Sequence, residues 1–193
     1  MSSFSARRNC PKMTIQGVFI DRDGTINVER GHVYRTEDFE YIPGALEALR
    51  LASERKIKIY IVTNQAGIAK GIYTEADFKI LTKDMLDYMA GCGIEIADVL
   101  YCPHHPEGTV AAYRKICSCR KPEPGLLKAV IEKEGFSPDC LALIGDKNSD
   151  IEAGRKLGMR TYLVETGYGI DHKHTTRADY VVKDIQAAVH HLL

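Results

Sequence analysis

The chain has 193 residues, 45% apolar and 27% charged, with 26 basic residues balanced by 26 acidic ones. That length allows one well-buried core and is too short for two ordinary domains. Balanced charge excludes a global basic field for nucleic acid or an anionic membrane, and no apolar run reaches the length of a membrane span.

Residues 1–13 lack the apolar segment of a secretory signal and read as a flexible lead to a single domain over 14–193. "GVFI" (17–20) reads as a buried strand, and "PGALEALRLASERK" (43–56) as a helix with Leu46, Leu49 and Ala52 on one side. "IKIYIV" (57–62) is a β-branched run, hence a second strand. A helix follows over 74–90, opened by a Thr74/Asp77 capping pair, with Phe78, Leu81, Met85 and Met89 at helical spacing. "ADVLYC" (97–102) is a third strand; a helix over 124–135 stops at Gly135; "LALIG" (141–145) is a fourth strand. Next comes a helix over 149–158, with Ser149 and Glu152 spaced for a capping box. Short strands at 161–164 and 180–182 precede a closing amphipathic helix over 184–193. Alternating units of this length predict an α/β fold, a Rossmann-like doubly wound parallel sheet with helices on both faces. The segment 103–120, polar and rich in His, Pro and Cys, is too long for an ordinary connection.

In open parallel sheets, ligands sit at the carboxyl ends of the strands. Asp21, Asp23 and Thr25 follow the first strand in "FIDRDGTI". Thr63 and Asn64 follow the second, Asp146 and Asp150 follow the fourth in "GDKNSD", and Lys121 stands before the third helix. A lone D-x-D after a strand reads most simply as a turn with solvated acids. The whole set, in order and at strand ends or helix starts, calls for chemistry. Hard carboxylate oxygens suit Mg²⁺, which explains why repelling aspartates are kept together. One carboxylate can attack a phosphoryl group, and the second can protonate the leaving oxygen and then deprotonate a water. Lys121 and Thr63 can hold charge on the transferring oxygens.

These four motifs resemble those of the haloacid dehalogenase (HAD) superfamily. The resemblance implies Asp21 as nucleophile and Asp23 as general acid/base, with Thr63 and Lys121 binding the phosphoryl group. It implies Mg²⁺ on Asp21, the backbone carbonyl of Asp23, and Asp146. Asp150 is expected close by, in contact with the metal through water or beyond its ligands.

The remaining signal is the cysteine loop. Of six cysteines, Cys102, Cys117 and Cys119 cluster; Cys10, Cys92 and Cys140 read as tail or packing residues. The absence of a signal segment argues against a disulfide framework and for a reducing, cytoplasmic setting. Cys102-x-His104, twelve residues, then Cys117-x-Cys119 is a ligand pattern for tetrahedral Zn²⁺. Four protein ligands leave no open position, so the zinc is expected to be structural, ordering the loop that carries Arg120 and Lys121. His105 stands beside His104 as an alternative ligand.

"CPHHPEG" and "CSCRKPEPG", with "IDRDGTIN", "TNQAGIAKG" and "GDKNSDIEAG", closely resemble the heptose 1,7-bisphosphate 7-phosphatase family. Histidinol-phosphate phosphatase domains share the motifs and the zinc, with a shorter gap between ligand pairs. The likeness spans about residues 15–185 and implies no large cap domain, a small sugar bisphosphate as substrate, and a monomer. It places Arg22, Glu29, Arg30, Gly31 and His32 on the substrate side, with Asn64, Gln65 and Ala66 in the second phosphate-site loop. Ala66 departs from the serine common there. Arg120 is implied for the distal phosphate, where a bidentate fork suits a phosphate, and Lys147 is implied to reach substrate.

Overall fold

The computed structural model describes residues 14–193. The expected lead over 1–13, and Cys10 within it, lie outside the described residues.

Six strands form one sheet in the order β3-β2-β1-β4-β5-β6, every neighbouring pair parallel. They are β1 (Gly17–Ile20), β2 (Lys58–Asn64), β3 (Ile96–Cys102), β4 (Leu141–Gly145), β5 (Arg160–Val164) and β6 (Tyr180–Val182). β1 and β4 lie at the centre and are buried along their whole length, which is why "GVFI" and "LALIG" are unbroken apolar runs.

Successive side chains of a strand point to opposite faces. Val18, Ile20, Ile59, Ile61, Ile144 and Tyr162 share one apolar layer with α1 (Ala45–Glu54), α3 (Glu75–Gly91) and α7 (Ile185–Leu192). Phe19, Tyr60, Val62, Leu141 and Leu143 face α4 (Gly125–Glu134) and α5 (Asn148–Lys156) on the other side. Two single helical turns, α2 (Ala66–Ala69) and α6 (Gly169–His172), complete the set. They are too short to leave a periodic apolar signal, so the sequence pattern missed them.

Three helix ends show clear capping. Thr74 and Asp77 form the reciprocal capping box of α3, Gly135 closes α4 with φ 68°, and Asp184 caps α7 through the Ala187 N–H. The expected Ser149/Glu152 box is corrected: α5 starts at Asn148, and the Asp150 carboxylate accepts from the Lys147 N–H at 3.0 Å. The second strand also runs beyond its expected end through Thr63 and Asn64. The reason is that Thr63 and Asn64 pair with Tyr101 and Cys102 of β3. No large cap domain is inserted among the described residues, and no helix among them is long and apolar enough to cross a membrane.

Leu49 is fully buried between α1 and the sheet. Leu49→Ala is expected to cost about 2–5 kcal/mol through lost burial and a residual cavity, and Thr74→Ala about 1 kcal/mol through the lost cap. Urea unfolding followed by circular dichroism checks both; equal midpoint shifts for the two would contradict this account of the core.

Candidate active site

The chain builds outward from β1 through β2 to β3, then returns to the other side of β1 with β4. The strand order therefore reverses between β1 and β4, and the crevice outside their carboxyl ends is the place for a ligand. A cavity of about 480 Å³ opens there, and its walls include Asp21, Asp23, Thr63, Arg120, Lys121 and Lys147.

The floor is a charged cluster. Asp21 follows β1 directly and is held in register by its N–H to the Ile144 carbonyl at 2.9 Å. Lys121 Nζ lies 2.7 Å from Asp21 Oδ1, 2.5 Å from Asp150 Oδ1 and 2.6 Å from the Val62 carbonyl. Burial works to lower the Lys121 pKa, but Asp150 and Asp21 outweigh it and raise it, so the ammonium is secure. Both Asp150 oxygens are thus engaged, one by Lys121 and one by the Lys147 N–H. Its place is that of a clamp on Lys121 and on the start of α5.

Asp146 differs. It is fully buried; Oδ2 accepts from the Tyr168 N–H at 2.9 Å, while Oδ1 has no partner. Burial, reinforced by Asp21, pushes its pKa up to about 8, and burial pushes Asp21 to about 6 despite Lys121. Asp21, Asp146 and Asp150 offer oxygens within 4.8 Å of one another. An orphaned buried carboxylate oxygen beside a second carboxylate, with hard oxygens throughout, fits a divalent cation such as Mg²⁺. Gly24, at φ 86°, completes the turn: a Cβ there would lie 2.2 Å from Asp146 Oδ2.

Asp23 points to a different environment. Arg22 spans both its oxygens, and Asn27 and Gln65 donate to it at 3.1 and 3.0 Å. Burial raises its pKa, but the Arg22 charge and these hydrogen bonds win, holding the carboxyl below its ordinary value. The two aspartates of D-x-D are therefore chemically distinct, one desolvated against a lysine and one locked in a donor ring.

The cysteine loop ends beside this floor. Cys102, His104, Cys117 and Cys119 converge, with Sγ–Sγ separations of 3.1, 3.2 and 3.5 Å and His104 Nδ1 3.3 Å from Cys119 Sγ. Three thiols and an imidazole this close fit tetrahedral Zn²⁺. His105 instead accepts from the Glu107 N–H, outside the cluster. Past the last cysteine, Arg120 donates to the His104 carbonyl at 3.3 Å and also lines the crevice.

The other expected residues divide. Glu29, Gly31, His32, Asn64, Gln65, Ala66 and Lys147 line the cavity. Glu29 pairs with Lys147 at 3.2 Å, and Lys147 lies over the Tyr168 ring at 4.5 Å. Asn64 clamps the Lys121 backbone through hydrogen bonds of 3.0 and 3.1 Å. Two expected substrate contacts are placed elsewhere. Arg22 is 1% exposed, because its charge is spent on Asp23 and the Val33 carbonyl. Arg30 pairs with exposed Glu40 and does not line the cavity. Sequence reasoning missed Tyr73 and Tyr168, since each enters the crevice from a single helical turn or loop without a motif to mark it.

The HAD-hydrolase-like family model matches residues 118–188. The D-glycero-beta-D-manno-heptose-1,7-bisphosphate 7-phosphatase of Escherichia coli (strain K12) is 37% identical over 173 residues, 89% of this chain and 91% of the relative. The D-glycero-alpha-D-manno-heptose-1,7-bisphosphate 7-phosphatase of Photorhabdus laumondii is 41% identical over 155 residues, 80% of this chain and 85% of the relative. The crystal structure of the D,D-heptose 1,7-bisphosphate phosphatase from B. bronchiseptica, complexed with magnesium and phosphate, superposes with a TM-score of 0.83. That comparison has 25% identity and covers 92% of this chain and 97% of the other. The chain belongs to the heptose 1,7-bisphosphate 7-phosphatase family of HAD-like hydrolases.

Proposed function

We propose that the protein hydrolyses the C7 phosphate of a D-glycero-D-manno-heptose 1,7-bisphosphate, releasing inorganic phosphate and a heptose 1-phosphate. The observation that carries this reading is the pairing of a desolvated Asp21, held by Lys121, with a donor-locked Asp23 in one crevice. The relatives' names supply the substrate. Histidinol phosphate, the rival substrate, carries an ammonium in place of a second phosphate; the cation Arg120 in the crevice lining favours the bisphosphate.

Asp21 Oδ attacks phosphorus while the bond from phosphorus to the C7 oxygen breaks; Asp23, ionised in the free crevice, takes up a proton when the anionic phosphoryl group arrives beside it and gives that proton to the C7 oxygen. Asp23 then takes a proton from water as the water oxygen attacks the aspartyl phosphate, which restores the Asp21 carboxylate. Lys121 and the Thr63 hydroxyl hold charge on the transferring oxygens. Asp21, Asp146 and the Asp23 carbonyl would hold Mg²⁺, which would neutralise phosphoryl charge. Arg120 takes the distal phosphate, so binding energy remote from the reacting centre orients the C7 phosphate. Zinc on Cys102, His104, Cys117 and Cys119 orders the loop that presents Arg120 and Lys121.

Asp21→Asn is expected to abolish phosphate release while leaving the circular dichroism spectrum and Tm close to wild type; near wild-type kcat would remove Asp21 as nucleophile. Arg120→Ala is expected to lower kcat/KM for the bisphosphate by about 10²-fold, the worth of a charged contact, and for a heptose 7-monophosphate far less. Equal losses on both substrates would sink the distal-phosphate role. Zinc removal by a chelator is expected to expose 103–120 to protease and to lower activity together. Full activity with the loop still protected would separate the metal from the loop's order.

A further inference from the structure

A hydrogen-bonded chain runs along the crevice wall from Tyr73 through Gln65 to Thr63, all within "TNQAGIAKGIY". The single turn α2 folds this stretch back on itself. Gly67 makes room, because a Cβ there would lie 2.0 Å from the Tyr73 ring. Tyr73 is buried and stacks on Tyr34, with centroids 5.0 Å apart and planes 9° apart.

The Gln65 amide has one orientation available. Arg22, which can only donate, reaches Gln65 Oε1 with Nη2 at 3.4 Å. The Asp23 carboxylate, an acceptor, lies 3.0 Å from Gln65 Nε2. Oxygen must face the guanidinium, and nitrogen must face the carboxylate. The Tyr73 hydroxyl donates to the same Oε1 and reinforces the choice. The second Nε2 hydrogen then goes to Thr63 Oγ1 at 2.7 Å.

The consequence falls on Thr63. Its hydroxyl oxygen accepts from Gln65, and a hydroxyl carries a single hydrogen. No hydrogen bond among the described residues takes that hydrogen, and Thr63 lines the crevice. A phosphoryl oxygen only accepts, so a Thr63 that spent its hydrogen on a protein acceptor could not serve it. We infer that Gln65, fixed by Arg22 and Tyr73, is a positioning residue that sets the Thr63 hydroxyl as a donor to the transferring phosphoryl group. Gln65 thus acts on the reaction through Thr63, in addition to the hydrogen bond it gives Asp23, and Tyr73 acts one bond further back. This inference rests on the phosphatase reading above.

The test is a double-mutant cycle on heptose 1,7-bisphosphate, using Gln65→Leu and Tyr73→Phe, each alone and combined with Thr63→Val. Gln65→Leu is expected to lower kcat by about 30-fold, a part of the 10²–10³ typical when an oxyanion donor is lost outright. Tyr73→Phe is expected to lower kcat about fivefold, a smaller part of that effect because Arg22 still holds Oε1. The inhibition constant of inorganic phosphate should rise in both. In the Thr63→Val background, each kcat loss should shrink several-fold, to the part that the Gln65–Asp23 hydrogen bond carries, the mark of groups that act as one unit. Full-sized losses in that background would overturn the relay, as would wild-type kcat and phosphate inhibition in both single variants. Should Gln65→Leu fail to fold by circular dichroism, the Tyr73→Phe arm decides alone. The wild-type enzyme separates the two readings. If it does not release phosphate from the bisphosphate, the proposed function fails; if it does while the variants match it, only the relay fails.

Discussion

The structure is organised around mutual repulsion among three buried carboxylates. Asp21, Asp146 and Asp150 offer oxygens within 4.8 Å of one another at the closed end of a parallel sheet. Like charges so close in low dielectric are tolerated only with compensating cations. Lys121 supplies one from inside the protein, and the partnerless Asp146 Oδ1 marks where a metal supplies the other. The position of Lys121 is therefore required by the charge balance of the fold itself. Removing the cation of such a buried set commonly costs about 3–5 kcal/mol, because the carboxylates are left uncompensated, whereas an amide in place of one repelling carboxylate relieves a like-charge contact.

That requirement explains the loop. Lys121 lies a hundred residues from Asp21 along the chain, at the end of a polar segment with no sheet or helix to fix it. Three kinds of tie replace regular structure. The Cys102/His104/Cys117/Cys119 cluster gathers the loop's two ends. Asn64, at the end of β2, holds the Lys121 backbone in both directions. Val110 donates to the Ala69 carbonyl, and the Tyr113 hydroxyl to Glu75, so the middle of the loop rests on α2 and α3. A glycine at 108 allows this close packing, since a Cβ there would lie 2.7 Å from the Ala69 carbonyl oxygen.

The two halves of D-x-D show how one short motif yields two chemistries. Asp21 faces the cation side of the crevice and is desolvated; Asp23 turns into a ring of donors from Arg22, Asn27 and Gln65. Arg22, between them, is the largest fully buried side chain of the molecule among the described residues. It packs over the Phe78 ring of α3 with its carbon 5.6 Å from the centroid. A core helix thus supports the Arg22–Asp23 pair, and packing and charge meet in one residue.

Much of this was legible in the sequence. Unbroken apolar runs at 17–20 and 141–145 marked central strands, and alternating helices fixed a parallel sheet, so Asp21, Thr63 and Asp146 had to share one end. The spacing of Cys102, His104, Cys117 and Cys119 marked the metal cluster, because ligand chemistry depends on residue type and short-range separation. The sequence left open which histidine joins the thiols, where α5 begins, and what Asn64, Asp150 and Tyr73 touch. Those depend on how the single turn α2 and the loop after β3 fold against the sheet, and neither has a period to read. Arg22 shows the limit most plainly. A charged residue between two site aspartates reads as a substrate contact, and only the tertiary structure turns it inward, where the Val33 carbonyl and the Asp23 carboxylate offset part of the cost of burying its charge.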